Sequence, residues 1–323
     1  MTGKIKNLAV FTSGGDAPGM NAAVRAVVRT ALSCNTNIFG INRGYKGMIA
    51  DDFIKFNSSD VRNIIHKGGT LLRTARSEEF KTKKGREKAY KNLLKHDIDA
   101  CVVIGGDGSF KGAGIFSGEY DIPFVGIPGT IDNDMFGTDY TIGFDTALNT
   151  VTEAIDRIKD TADAHDRTFF IEVMGRDAGF IALKAGIATG AEAILIPEVE
   201  GQESHLEEIL SNSGKSSNII IVAEGNNLGG SKEIAEKIAK RHKNMDIKVN
   251  VLGHIQRGGS PTAFDRYLAS RLGVAAVDAL ADNQRSIMVG YTNHEVIHVP
   301  FNKTIKGKRI MNKELLRVAD ILR

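Results

Sequence analysis

Residues 100–134 read ACVVIGGDGSFKGAGIFSGEYDIPFVGIPGTIDND, in which two short apolar runs each lead into a turn rich in glycine and aspartate. The runs Ala100 to Ile104 and Ile122 to Ile127 are largely β-branched, which is typical of buried parallel strands. The turns should then lie at the carboxyl ends of neighbouring strands, where open α/β sheets bind ligands. Because glycine lets backbone N–H groups approach a phosphate, the two turns predict a phosphate site.

Strand-like runs alternate with helical segments along the rest of the chain. The first run, Leu8 to Thr12, precedes a turn from Ser13 to Gly19 and a helix from Met20 to Leu32. Further strands are predicted at Ile38 to Ile41, Pro123 to Ile127, Phe169 to Val173, Ala193 to Ile196, Ile219 to Ala223 and Lys248 to Leu252. The clearest helix, Thr146 to Ala162, repeats apolar residues at helical spacing. Such alternation predicts an α/β fold with largely parallel sheets.

Length and composition limit the organisation and the partners. A chain of 323 residues with 42% apolar content predicts two domains, and the change in motif content places a division near Thr141. The alternation of strands and helices predicts that each is a three-layer α/β/α lobe. Its 42 basic and 39 acidic residues are spread along the chain, so neither nucleic acid nor a membrane surface is an expected partner. With only two cysteines and no long apolar run, we expect a soluble cytoplasmic protein.

One pattern resembles a metal site but has the wrong context. Residues 294–298 read HEVIH, which matches a zinc-protease motif that functions only on a helix. Val296, Ile297 and Val299 are β-branched, and Pro300 follows them directly. The segment is therefore predicted to be an edge strand with two exposed imidazoles.

The acidic turns suit phosphoryl transfer. That reaction needs cations or a metal on the phosphates, backbone donors around them, and a carboxylate that accepts the proton of the attacking hydroxyl. Asp107 is placed to approach Mg²⁺, although an aspartate between glycines can also simply form a turn. Thr130, Asp132 and Asp134 add a hydroxyl and two carboxylates within five residues. Three acids at adjacent strand ends repel one another unless a cation or a proton intervenes, which favours a functional interpretation.

Two arginines follow predicted strands. Arg176 lies in the turn after Val173, and Arg257 lies soon after Leu252. A guanidinium group binds phosphate through paired N–H donors, so both are candidates for binding a phosphorylated substrate. Each could instead form a surface ion pair.

Taken together, five motifs in this order resemble the bacterial ATP-dependent 6-phosphofructokinases. They are TSGGDAPGMN (12–21), GGDGS (105–109), PGTIDND (128–134), MGR (174–176) and GHIQRGG (253–259). The likeness runs from Leu8 to about Leu280. It implies phosphorylation of the 1-hydroxyl of fructose 6-phosphate with ATP and Mg²⁺.

The resemblance also implies a role for each matching residue. Asp132 would accept the sugar proton, Thr130 and Arg176 would stabilise the transferring phosphoryl group, Asp134 would support the base and Asp107 would hold Mg²⁺. The implied nucleotide site comprises Gly15, Tyr45, Arg76, Ser77, Gly106, Asp107, Gly108 and Ser109, with Tyr45 against adenine. The implied sugar-phosphate residues are Thr130, Ile131, Asp132, Arg167, Met174, Gly175, Arg176, Glu224, Lys248, His254, Ile255, Gln256 and Arg257.

The same resemblance implies an assembly and a division of the chain. Subunits of this family form homotetramers, and Arg167 would reach the active site of a neighbouring subunit. Residues 1–141 with about 258–306 would form the ATP-binding lobe. Residues 142–257 with about 307–323 would form the sugar-phosphate lobe, with the active site in the cleft between the two.

Several positions bear on the donor, the acceptor and regulation. Relatives that use pyrophosphate carry Asp and Lys where this chain has Gly108 and Gly129, so ATP is the predicted donor. Lys248 replaces a common arginine, which predicts a looser hold on the sugar phosphate. The candidate effector-pocket residues are Arg25, Arg29, Lys159, Glu192 and Lys215. Ser58 and Lys159 stand where arginines are common in the family, and Ser213 and Ser216 stand where lysines are common, which predicts weak or altered control by ADP and phosphoenolpyruvate.

Two other interpretations stay open. One is a kinase of a different acceptor, such as tagatose 6-phosphate or a nicotinamide nucleotide, although the separate motif at His254 to Arg257 disfavours the nucleotide. The other is a nucleotide-sensing subunit without activity, which the presence of Asp107, Asp132 and Asp134 disfavours.

Overall fold

The computed structural model describes residues 5–212 and 216–322, which form two compact units. The first unit contains the chain up to Ile131, Met135–Thr146 and Arg257–Arg309, and the second contains Asp132–Asp134, Ala147–Gln256 and the chain from Ile310. The divisions therefore follow Thr146, Gln256 and Arg309, where the sequence predicts divisions near 141, 257 and 306. Residues 132–134 group with the second unit, whereas the sequence assigned them to the first.

Eleven strands lie in the described residues. In chain order they are β1 (Asn7–Thr12), β2 (Asn37–Ile41), β3 (Phe53–Phe56), β4 (Ala100–Gly105), β5 (Phe124–Pro128), β6 (Arg167–Val173), β7 (Ala193–Leu195), β8 (Asn218–Ala223), β9 (Asp246–Val251), β10 (Ile287–Thr292) and β11 (Glu295–Pro300). Every apolar run predicted as a strand forms one, and only β3 and β10 were missed. The prediction for the HEVIH segment is confirmed, because β11 is an edge strand, and His298 within it and His294 just before it are both exposed.

Eleven α-helices lie between and after these strands within the described residues. They are α1 (Met20–Ser33), α2 (Gly44–Ile49), α3 (Lys83–Lys95), α4 (Asp107–Tyr120), α5 (Phe144–Ala164), α6 (Phe180–Thr189), α7 (Gln202–Asn212), α8 (Ser231–Arg241), α9 (Ala263–Ala281), α10 (Phe301–Lys306) and α11 (Lys313–Leu322). Short 3₁₀ turns occur at Glu79–Lys81 and Gly253–Arg257. In the part of the chain that the structure describes, no helix has the length and apolar character to span a membrane.

The first unit is built on a seven-stranded sheet. The strand order is β11-β10-β5-β4-β1-β2-β3, with parallel pairing throughout except at the two edge strands. Alternate residues point to opposite faces, and Phe11 and Val103 pack with Phe110 and Phe116 of α4 on one of them. Helices α1 and α9 pack against each other, and both contact the opposite face of the sheet. This arrangement places the ends of β1, β4 and β5 side by side.

The second unit contains a smaller sheet that is entirely parallel. Its order is β7-β8-β6-β9. Phe170 and Ile220 of the sheet pack with Leu206 of α7 and Ile234 of α8 in a buried cluster, while α6 also contacts β7 and β8. Both units are thus α/β structures with largely parallel sheets, as predicted.

Candidate active site

Three turns of the first unit lie against one another at the carboxyl ends of β1, β4 and β5. The backbone N–H of Ser13 donates to Ile104 O at 2.9 Å, and that of Gly129 donates to Gly105 O at 3.1 Å. A Cβ on Gly105 would lie 2.4 Å from Ser13 O, so only glycine permits this approach. The glycine-rich turns, which are separate in the sequence, therefore form one continuous surface.

Helix α4 begins at this surface. Gly106 is its N-cap residue and Asp107 is in its first turn. The first N–H groups of a helix have no intrahelical acceptor, and its dipole favours an anion at this end. A Cβ on Gly108 would meet no atom within 4 Å, so open space lies beside the first turn. Backbone donors and free volume thus occur together where the sequence predicts a nucleotide phosphate.

Tyr45 makes contacts that the sequence did not predict. Its ring stacks on Phe80 at a centroid distance of 4.0 Å, and its hydroxyl donates to Ser109 O at 2.5 Å. Burial raises the pKa of this hydroxyl, which keeps it a donor, and only 7% of the residue is exposed. Phe80 covers one face of the ring, and the stacking of Tyr45 on adenine stays a prediction. The observed hydrogen bond joins Tyr45 to the first turn of α4.

Gly15, a predicted nucleotide residue, lies in the first of these turns beside Arg257, a predicted sugar-phosphate residue. Arg257 Nη1 donates to Asp16 O at 3.3 Å, and a Cβ on Gly15 would lie 2.5 Å from that nitrogen. A side chain at position 15 would displace the Arg257 guanidinium, so glycine leaves room for this close approach of a cation to the first turn. Arg76 is exposed, whereas the Ser77 hydroxyl accepts a bond from Phe80 N at 3.3 Å.

The segment that carries the predicted base returns to β5. Thr141 donates its hydroxyl proton to Thr130 O at 2.6 Å, and Ile142 N donates to Pro128 O at 2.9 Å. Thr130 is half-buried, Ile131 is buried, and Asp132 is only 6% exposed. Asp134 is half-buried two residues further on.

In the second unit, Glu224 organises the MGR turn. Its Oε1 accepts bonds from Arg176 N at 2.7 Å and Gly175 N at 3.3 Å. Arg176 has a left-handed backbone with φ of 56°, which the Glu224 bonds help to maintain, and its side chain is exposed. The predicted sugar-binding acid and the predicted phosphate-binding arginine are therefore in direct contact.

Gln256 joins two predicted sugar-phosphate segments. It is fully buried, its Oε1 accepts a bond from Met174 N at 3.0 Å, and its Nε2 donates to Gly253 O at 2.9 Å. Its side chain thus positions the MGR turn, while His254 and Ile255 beside it are exposed.

Arg167 and Lys248 share one carboxylate. Asp246 Oδ1 lies 2.6 Å from Lys248 Nζ, and Asp246 Oδ2 accepts a bond from Arg167 Nε at 2.8 Å. Lys248 first and Arg167 second hold the pKa of Asp246 below its usual value. Adjacent strands β6 and β9 therefore present two cations together, and no sequence pattern indicated Asp246 as their partner.

The predicted effector residues have structural contacts of their own. Lys159 donates to Thr189 O at 2.6 Å, at the end of α6, and Glu192 Oε2 accepts a bond from Ile219 N at 2.7 Å. Arg25 is half-buried and Arg29 is exposed, both on α1. Lys215 lies outside the described residues, as does Ser213.

Asp107 is the candidate metal ligand. Within residues 5–212 and 216–322, no three His, Cys, Asp or Glu side chains are grouped so as to hold a metal by themselves. Mg²⁺ that binds with a nucleotide takes most of its ligands from phosphate oxygens and water, together with one or two carboxylates. A single hard carboxylate in the first turn of α4 fits that requirement.

Known proteins match this chain over most of its length. The family model described as Phosphofructokinase matches residues 7–280. The ATP-dependent 6-phosphofructokinase 2 of Bacteroides thetaiotaomicron is 52% identical over 319 residues, which cover 98% of each chain. The ATP-dependent 6-phosphofructokinase 1 of Thermus thermophilus is 53% identical over 321 residues, which cover 98% of this chain and 99% of that one.

Solved structures extend the likeness to the fold. Phosphofructokinase from Saccharomyces cerevisiae superposes with a TM-score of 0.88 at 40% identity, over 98% of this chain and 46% of the yeast chain. This chain therefore spans about half the length of that yeast chain. A pyrophosphate-dependent phosphofructokinase from Nitrosospira multiformis has a TM-score of 0.87 at 20% identity, over 97% of this chain and 90% of its own. At that identity the likeness concerns the fold alone.

Proposed function

Because this chain belongs to the phosphofructokinase family, we propose that it transfers the terminal phosphoryl group of ATP to the 1-hydroxyl of fructose 6-phosphate. The products are fructose 1,6-bisphosphate and ADP. The observation that supports this most strongly is the agreement over 98% of the chain with relatives named ATP-dependent 6-phosphofructokinase. The contact of the three glycine-rich turns at the start of α4 gives that agreement a physical basis.

Asp132 is the proposed general base. It accepts the proton of the sugar hydroxyl as the oxygen attacks the terminal phosphorus, and Asp134 keeps the carboxylate oriented. Thr130 and Arg176 stabilise the charge on the transferring group, for which Arg176 offers paired N–H donors. The near-complete burial of Asp132 supports this role, since water competes little with the substrate hydroxyl there.

The nucleotide occupies the surface at the ends of β1, β4 and β5 in this proposal. Backbone N–H groups of the first turn of α4 bind its phosphates, and Gly15, Arg76 and Ser77 complete the site. Asp107 would hold Mg²⁺, which when bound neutralises phosphate charge. The open space at Gly108 supports ATP as the donor, since an aspartate there would fill it with a negative charge.

The sugar phosphate contacts the residues of the second unit in this proposal. Glu224 binds sugar hydroxyls through the carboxylate oxygen that does not accept the bonds of Gly175 and Arg176. Arg167 and Lys248 bind the 6-phosphate of a neighbouring subunit's substrate in a homotetramer. ADP or phosphoenolpyruvate would act weakly through the basic residues of α1, because several family cations are replaced in this chain.

A coupled assay with ATP and Mg²⁺ tests the proposal against a panel of acceptors. The panel contains fructose 6-phosphate, tagatose 6-phosphate and a nicotinamide nucleotide. We expect the highest kcat/KM with fructose 6-phosphate, and about a 10²- to 10⁴-fold loss of kcat in Asp132→Asn with ATP binding retained. Asp282→Asn, an exposed change of the same kind, controls for the substitution. Unaltered turnover by Asp132→Asn, or preference for another acceptor, would refute the assignment.

A further inference from the structure

The chain from residue 57 to residue 78 forms no helix or strand, although it leads directly to Arg76 and Ser77. Its conformation depends on polar side chains from elsewhere in the first unit. Asn21, in the first turn of α1, is 4% exposed and accepts a bond from Leu71 N at 2.6 Å through Oδ1. Its Nδ2 donates to Lys67 O and Gly68 O, both at 3.1 Å. One buried amide thus makes three bonds to residues 67–71.

Thr12 holds the next part of the same segment. It is the last residue of β1, it is fully buried, and its hydroxyl donates to Arg73 O at 2.8 Å. The same oxygen lies 2.9 Å from the Thr70 hydroxyl, which can donate to it. Leu72 lies between Thr70 and Arg73 in the chain, and its carbonyl oxygen accepts a bond from Arg43 N at 2.7 Å. Residues 67–73 are therefore fixed against the ends of β1 and α1.

Thr74 connects this segment to the first glycine-rich turn. Its hydroxyl donates to Gly14 O at 2.7 Å. Gly14 directly precedes Gly15, and Thr74 lies two residues before Arg76. The Thr74 hydroxyl therefore ties the Gly14–Gly15 turn to the chain segment that carries Arg76.

We propose that Thr74, supported by Thr12 and Asn21, is a positioning residue for the nucleotide. It sets the separation between the Gly14–Gly15 turn and Arg76, so that both contact the same polyphosphate. The inference rests on the proposed function only in that Gly15 and Arg76 bind ATP. Preorganisation of this kind lowers the entropy lost when the ligand binds, and its loss weakens binding of that ligand alone.

The test compares Thr74→Val with Thr74→Ser. Valine keeps the shape of threonine and removes the hydroxyl, whereas serine keeps the hydroxyl. The dissociation constant for MgATP is measured by calorimetry without sugar phosphate, and KM is measured for both substrates. We expect Thr74→Val to raise the MgATP dissociation constant and KM by roughly three- to tenfold, the effect of one hydrogen bond, with KM for fructose 6-phosphate unchanged. Thr74→Ser restores the wild-type values.

Thr36→Val is the matched control, because Thr36 is a buried threonine of the same unit whose hydroxyl donates to Ile5 O. Equal MgATP affinity in Thr74→Val and wild type would overturn the inference, as would equal rises in both KM values. If Thr74→Val fails to fold, Thr74→Ala provides the same comparison, since it also removes the hydroxyl that donates to Gly14 O. Wild-type protein that neither binds ATP nor phosphorylates fructose 6-phosphate would instead refute the proposed function.

Discussion

Gly108→Asp tests nucleotide binding separately from folding. The residue lies in the first turn of α4, and a Cβ there meets no atom within 4 Å. The substitution therefore creates no clash, while a non-glycine residue favours the helix and an acid suits its N-terminus. We expect the free energy of unfolding to stay constant or to rise by up to about 1 kcal/mol.

The expected effect on ATP is large because the new charge faces the phosphates. A carboxylate about 5 Å from one phosphate charge, at an effective dielectric constant of about 20, costs about 3 kcal/mol. That energy corresponds to roughly a 100-fold loss of affinity, since each 1.36 kcal/mol is a factor of ten. Because the mutation adds repulsion to the donor alone, KM for fructose 6-phosphate should change little.

Calorimetric titration measures the affinity for MgATP, and steady-state kinetics measure KM for fructose 6-phosphate. Thermal unfolding measures stability. Gly108→Ala controls for the added carbon. Gly118→Asp controls for the charge, because it lies on the same helix and its Cβ also meets no atom within 4 Å. A Gly108→Asp protein that binds MgATP within about twofold of wild type would show that the phosphates lie elsewhere.

Two further changes test the second unit and the interior. Gln256→Leu should raise KM for fructose 6-phosphate but not for ATP, because Met174 N and Gly253 O each lose a bond at a cost of about 1–3 kcal/mol; equal KM values to wild type would contradict this. Burial raises the pKa of Asp265 to about 6, although bonds from Thr146 and Gly143 oppose the shift. The folded protein then binds this proton more tightly than the unfolded chain, so the contribution of Asp265 to stability falls as pH rises from about 4 to about 6. Between pH 5 and pH 8 wild type should lose about 1 kcal/mol relative to Asp265→Asn in urea unfolding, and parallel pH profiles would rule the effect out.

Much of the fold follows from local patterns in the sequence. Runs such as Ala100 to Ile104 are short, apolar and β-branched, and helix α1 begins close to where Pro18 and Gly19 end the first turn. Burial of such runs in parallel sheets leaves little choice of architecture. Strands β3 and β10 were missed because edge pairing and glycine weaken the pattern in FIKF and IMVGYT.

Motifs likewise indicated which residue types belong to the site, because glycine turns, acids and arginines at strand ends have a chemistry that does not depend on distant partners. Partners were decided only by tertiary structure. The stacking of Tyr45 on Phe80, the buried bridge of Gln256 and the bond from Thr74 to Gly14 each join groups far apart in the chain. A hydrogen bond depends on distances of a few tenths of an ångström, and periodicity along one strand or helix contains no information about which remote backbone group it will meet.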